Sequence, residues 1–298
     1  MKRILLLAGI CLASLCLSAQ SFYIKPYAGY GTGVSGSLFN ITSSDYYESP
    51  DSNNTSYSYE SVKISFGKGK RFGFAIGTEI TKNIAFELAA DFSKGKSREI
   101  ELHSNNVYQY DQDFSLEIND KYYFESKSAQ IAPGIIIKSS NRKITQYFKI
   151  AAIINFTRFT ENFERYIFNT LPTYYPFESY THVLKYNWTP SAGLKTAIGF
   201  EYYLFNNLYV FAEAQYNNLS ASPKKSELTE YKYRGEDRLE TLTIRERNFE
   251  YVTEFDDTDN ANPDKPEKKL PEQFILSNMT IIAGVRFDVN LKKAFKAE

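Results

Sequence analysis

The sequence predicts an all-β fold: an eight-stranded antiparallel up-and-down transmembrane β-barrel with long extracellular loops. Three observations predict it. Eight segments alternate apolar and polar residues over the length a tilted membrane strand needs, about 9–11 residues. The connections between them are alternately short and long. No apolar stretch after residue 20 is long enough to cross a bilayer as a helix, which takes about 20 residues.

The first segment runs from Phe22 to Val34, with Phe22, Ile24, Pro26, Ala28 and Tyr30 on one face and Tyr23, Lys25, Tyr27 and Gly29 on the other. The second sets Phe72, Phe74, Ile76, Thr78 and Ile80 outward against Arg71, Gly73, Ala75, Gly77 and Glu79. In the third, Ile84, Phe86, Leu88, Ala90 and Phe92 oppose Ala85, Glu87, Ala89 and Asp91. The fourth places Ala129, Ile131, Pro133, Ile135 and Ile137 outward. In the fifth, Phe148, Ile150, Ala152, Ile154 and Phe156 oppose Lys149, Ala151 and Asn155. The sixth opposes Trp188, Pro190, Ala192, Leu194, Ile198 and Phe200 to Thr189, Lys195, Gly199 and Glu201. The seventh and eighth face Leu208, Val210, Ala212, Ala214 and Tyr216, then Met279, Ile281, Ala283, Val285 and Phe287, toward lipid. Alternation with period two is what a sheet with unlike faces requires.

Three connections are short: Thr81-Lys82-Asn83, Ser139 to Lys143, and Tyr203 to Asn207. The other four are long, at 36–69, 94–121, 159–184 and 218–273. A transmembrane barrel sorts its connections this way because one rim faces the periplasm and the other the exterior. The chain also echoes itself. Ala75-Ile76-Gly77-Thr78-Glu79 and Ala197-Ile198-Gly199-Phe200-Glu201 each put Gly and Glu on the inner face just before a short turn.

Tyr27-Ala28-Gly29-Tyr30-Gly31, the paired Ala-Ile-Gly-x-Glu stretches and the closing Ala283-Gly284-Val285-Arg286-Phe287 resemble the small outer-membrane barrels of the OmpA-like and OmpW-like type, in their Bacteroidetes form. The likeness covers all eight segments. It implies an outer-membrane location, outer-membrane lipid and lipopolysaccharide as surroundings, and insertion by the barrel-assembly machinery. The chain departs from that pattern in the polar tail after Phe287 and in carrying no peptidoglycan-binding domain.

Residues 1–20 read as a cleaved signal peptide. Lys2 and Arg3 precede an apolar run from Ile4 to Leu17, and Ser18-Ala19-Gln20 supplies small residues for cleavage. Residues 21–290 form the barrel and 291–298 a short polar tail. Cys11 and Cys16 both fall in the leader, and neither has the residues a lipoprotein signal places before its cysteine. The mature chain therefore has no thiol chemistry. Without the leader, acidic residues outnumber basic ones by two, which gives no electrostatic case for nucleic acid. The 24 Tyr and 23 Phe suit aromatic girdles at the two membrane interfaces.

The predicted interior carries Lys25, Arg71, Lys149, Lys195 and Arg286 with Glu79, Glu87, Asp91, Glu201, Glu213 and Asp288. Eight strands leave room for little but side chains, and charges buried there must pair. A plugging ion-pair network is the preferred reading, and a proton or ion path the alternative. His103 and Ser104 are adjacent, so a strand points them to opposite faces, whereas lipid A deacylases use His and Ser two apart. The acidic run Asp256-Asp257-Thr258-Asp259-Asn260 with Asp264 offers oxygen ligands for calcium but lacks the glycine and terminal glutamate of a helix-loop-helix site. A solvated acidic loop is the preferred reading there.

Leu239 to Phe255 alternates as a β-hairpin would. Tyr46, Tyr47, Tyr57 and Tyr59 among Ser and Asn resemble adaptable binding loops. Neither a cofactor nor a metal is expected. The expected role is a non-enzymatic surface or structural protein whose loops are available to a ligand. Passive transport of small solutes and lipid A modification are the alternatives.

Overall fold

A computed structural model describes residues 22–34, 37–49, 52–64, 66–95, 98–109, 113–141, 143–169, 177–256, 260–271 and 273–289. The expected leader and polar tail lie outside the described residues, as do the side chains of Tyr46, Tyr47, Tyr57 and Tyr59. In chain order the strands begin β1 (Phe22–Gly33), β2 (Ser37–Ser49), β3 (Ser52–Ile64), β4 (Gly69–Glu79), β5 (Ile84–Gly95) and β6 (Arg98–Gln109). They continue as β7 (Asp113–Asn141), β8 (Ile144–Asn169), β9 (Phe177–Tyr186), β10 (Thr189–Phe205), β11 (Leu208–Ala221) and β12 (Lys225–Tyr233). Last come β13 (Glu236–Asp237), β14 (Asn248–Tyr251), β15 (Glu267–Lys269), β16 (Phe274–Ile275) and β17 (Asn278–Val289), with a one-turn helix, Ile244–Arg247, before β14.

Eight of these strands close on themselves. β1 pairs with β4, β4 with β5, β5 with β7, and β7 with β8. The ring continues through β10 and β11 to β17, which returns to β1. Every pairing is antiparallel, and Ala28 opposite Ala283 marks the closure. The protein is thus nearly all β, with an eight-strand ring consistent with a β-barrel. A closed ring leaves none of its strands with an unpaired edge.

The short connections lie at one end. Ile80 and Thr81 donate backbone N–H groups to Ile84 O, and Thr81 Oγ1 accepts from Asn83 and Ile84. The other two turns are tighter than the sequence predicts, because β7 and β8 pair as far as Asn141 and Ile144 and β10 runs to Phe205. Asn206 and Asn207 take φ values of 45° and 66° there. Asn tolerates this left-handed region best after glycine, which allows a two-residue hairpin.

At the other end the expected loops are largely sheet, and this corrects the loop prediction. β7 spans 29 residues and β8 spans 26, so both continue far past the ring. They carry β9, which in turn pairs with β12. β2 pairs antiparallel with β3, from Ser37 opposite Ile64 to Ser49 opposite Ser52. The alternation test missed these extensions because beyond the apolar band both faces of a strand can be polar. The expected Leu239–Phe255 hairpin is replaced by a 3-10 turn at Leu239–Thr241, the short helix, and β14. Thr243 and Glu246 cap that helix reciprocally, Thr243 Oγ1 accepting from Glu246 N and Glu246 Oε2 from Thr243 N.

The ring interior is filled in layers. Tyr23, Ala85, Ile136 and Tyr147 form an apolar cluster toward the short-turn end. Tyr27, Phe211 and Ile282 pack on Ala75, Ala89, Ala132 and Ala151 in a second. Toward the outer sheet, Phe66, Phe124, Phe159, Tyr186, Phe274 and Leu276 make a third cluster, with Phe159 and Phe274 centroids 4.4 Å apart.

Candidate site in the ring interior and the sheet above it

The sequence places charged residues on the inward face of the ring strands, and the packing joins them. Arg286 sits among three carboxylates: Glu201 at 2.7 Å, Glu79 at 2.7 Å and Asp288 at 2.6 Å. Lys25 lies between Glu201 at 2.6 Å and Glu87 at 3.3 Å. Lys149 lies between Glu87 at 3.1 Å and Glu213 at 2.6 Å. The result is one chain of alternating sign, Asp288–Arg286–Glu201–Lys25–Glu87–Lys149–Glu213. Lys195 and Asp91 form a separate pair at 2.5 Å. Arg71 reaches Gln130 Oε1 at 3.5 Å and acts on Asp91 through space. Glu79 and Asp288 are the most open of the set, at the short-turn rim; Lys195 is fully buried.

Sequence reasoning missed four partners. Lys138 pairs with Glu79; continuing the period of two one residue past Ile137 would have pointed it inward. Tyr23 and Tyr27 fell on the inward face but had no role assigned, and Tyr147, two residues before the inward Lys149, was not placed. Their hydroxyls donate to Glu87 at 3.3 Å, Asp91 at 2.7 Å and Glu213 at 2.8 Å. The Lys25 ammonium also lies over the rings of Tyr23, Tyr147 and Phe211 at 4.9–5.1 Å. Six cationic and six anionic side chains therefore face one another in the interior, and the set is neutral. Each cation of the continuous chain is held between carboxylates.

Above the ring, the sheet carries the second histidine. His182 on β9 packs on the Phe163 ring, centroids 4.7 Å apart. Burial pushes its imidazole down to about 4, with help from the Arg165 and Lys269 charges. Arg165 is itself held by both oxygens of Asp120, at 2.7 and 2.8 Å. On the same sheet, partial burial would raise Glu178, but hydrogen bonds from Arg234, Tyr180 and Tyr233 hold its carboxyl below the usual range. His103 lies on β6 opposite Asn119; its side chain and that of Ser104 are outside the described residues.

Of the acidic run, residues 257–259 lie outside the described residues. Asn260 spends its amide on the backbone of Lys268, donating at 3.0 Å and accepting at 2.7 Å. Among the described residues no group of His, Cys, Asp and Glu is arranged to hold a metal ion.

No protein-family model matches the chain, and no curated protein matches it. Among solved structures the chain is similar to the outer membrane protease OmpT from Escherichia coli, with 11% identity over 91% of this chain and 98% of that chain. The TM-score is 0.27, too low for the likeness to support any functional reading.

Proposed function

We propose that the chain is a non-enzymatic outer-membrane β-barrel whose ring is embedded in lipid and whose outer sheet stands above the surface as a platform for binding. One observation carries this reading: the ring is inverted relative to a water-soluble protein. Its outer face exposes Ile281 at 71%, Ile198 at 64%, Phe72 at 58% and Ile135 at 54%, while Lys195 is 0% and Asp91 1% exposed inside. Apolar patches beyond a few hundred square ångströms are rare on soluble monomers. In a bilayer the same belt is solvated by acyl chains, and a closed ring satisfies the backbone groups that lipid cannot.

Outer-membrane lipid and lipopolysaccharide are the surroundings that suit such a belt, and the barrel-assembly machinery is the route by which it would be inserted. The resemblance of Tyr27 to Gly31 and of Ala283 to Phe287 to small outer-membrane barrels points the same way. An interior of balanced charge, with most of its cations held on carboxylates, suits a scaffold rather than a catalyst, and the mature protein on this reading starts after a cleaved leader.

Protease shaving of intact cells tests the topology. Pro263, Asp264 and Lys265 are exposed on the outer side, so added protease should cut there without permeabilisation. Cutting only after permeabilisation, or recovery of the chain outside the outer-membrane fraction, would overturn the reading.

A further inference from the structure

Where β7, β8, β9 and β12 rise past the ring, they share a concave face on the side opposite the aromatic cluster. Glu125, Asn162, Glu164, Tyr166, Thr181 and Glu230 line a hollow of about 660 Å³. Register fixes the arrangement: Asn162 lies across from Val183, Glu164 across from Thr181, and Val183 across from Glu230. The volume falls within the usual range of ligand sites, roughly 300–1,000 Å³. The lining is unlike the usual apolar one, because almost every side chain in it can donate or accept a hydrogen bond.

Two of those groups are unspent. Glu125 and Asn162 make no hydrogen bond or ion pair among the described residues, although both are half-buried. The other charges are compensated. Glu230 has Lys232 at 3.9 Å, and Glu164 accepts from the Tyr166 hydroxyl at 3.1 Å and faces Lys121 across the ladder. An apolar ligand would strand the amide and carboxylate without partners, which costs affinity. An anion would meet Glu125, and a polycation would find a single free carboxylate. The remaining match is a neutral molecule with many hydroxyls, whose edges suit planar amide and carboxylate groups and whose C–H faces suit a tyrosine ring.

We propose that this hollow is a binding site for a neutral oligosaccharide, free or carried on a lipid, with Asn162 and Glu125 as its principal hydrogen-bonding groups. The proposal rests on the reading of the chain as a surface platform. The test uses the full mature chain in detergent, its folding checked by heat-sensitive gel mobility. Probes are malto-, cello-, manno- and galacto-oligosaccharides, lipopolysaccharide bearing a neutral glycan chain, and oligolysine.

At least one neutral glycan should bind with a Kd below millimolar. Asn162→Ala and Glu125→Gln should each weaken that binding about tenfold, the value of roughly one hydrogen bond to a half-buried group, and leave the melting temperature unchanged. Binding confined to lipopolysaccharide assigns a lipid-borne glycan and supports the site. Absence of glycan binding, binding insensitive to both variants, or binding of oligolysine alone overturns it. The shaving experiment reports separately on the surface reading, so either can fail without the other.

Discussion

Tyr23 lies against Gly77 so closely that a methyl group on Gly77 would stand 2.1 Å from the tyrosine Cζ. Tyr147 lies against Gly199 in the same way, at 2.4 Å. In both cases the two residues are cross-strand partners. Both tyrosines donate to a glutamate that pairs with the glycine on its far side, Glu87 opposite Gly77 and Glu213 opposite Gly199. Two residues on, Lys25 and Lys149 hold those glutamates. The glycine of the sequence echo is therefore the visible part of a repeated four-residue device, in which a missing side chain admits a ring and the ring aims a carboxylate, while the echo's own glutamates, Glu79 and Glu201, meet Arg286 instead.

Gly77→Ala should destabilise the ring by about 1–3 kcal/mol through overpacking. In a Tyr23→Leu background the same change should cost less, and the difference is the coupling between the two positions. Urea midpoints read from gel mobility measure both. Equal costs in the two backgrounds would mean that the close approach does not matter energetically.

How much of this was legible depends on which side chains carried a pattern. The eight ring strands were readable because lipid demands apolar side chains on one face, so Phe72, Phe74 and Ile76 alternate with Arg71, Gly73 and Ala75. The eleven interior charges were readable by the same parity. Their partners were not, because pairing Lys25 with Glu201 or Arg286 with Glu79 depends on how the ring closes across its diameter. The outer sheet was hidden too: in Glu178 to Tyr186 polar residues stand on both faces, so no hydrophobic period marks a strand, and β9 forms because β8 and β12 supply its hydrogen bonds.

A charge on the outer face should be far more damaging than a polar group inside. Ile150 is half-exposed on that face and Ala151 is buried. Ile150→Arg should cost about 2–4 kcal/mol if the position lies near the bilayer midplane. Ala151→Ser should cost much less, because it adds one small hydroxyl and no charge. Refolding into lipid vesicles at graded urea compares them; similar losses would reverse the assignment of faces.

Acid should loosen the outer sheet at His182. Its folded value of about 4 lies below the ordinary 6.5, so the unfolded chain binds the extra proton more readily. The stabilisation is fully present above about pH 6.5 and is lost as pH falls toward 4, and amounts to at most about 3 kcal/mol. Hydrogen exchange of β9 amides should accelerate over that window. In a His103→Gln variant the single remaining imidazole resonance should titrate near 4; titration at its ordinary value would remove the effect.

The ring should form no large steady pore. Its interior holds six charges of each sign, and the Asp288-to-Glu213 chain leaves none of its carboxylates without a cation within about 3.3 Å. Phe66, Phe124, Phe159 and Phe274 then close the side toward the outer sheet with apolar surface. A water column would have to displace both layers, whereas wide porins keep an aqueous lumen because their larger rings leave it empty. Planar-bilayer conductance of the wild type should be absent, or small and intermittent. Arg286→Ala leaves Asp288 without its cation, while Glu201 keeps Lys25 and Glu79 keeps Lys138, which should destabilise the ring by about 3–5 kcal/mol where the site is dry. Phe66→Ala with Phe274→Ala thins the apolar layer but leaves the ion pairs, so it should lower stability without creating a current. Stable porin-sized currents from the wild type would replace the plugged scaffold by a channel. Currents that arise only in the double phenylalanine variant would show that the aromatic layer, and not the charge network, is what keeps the ring closed.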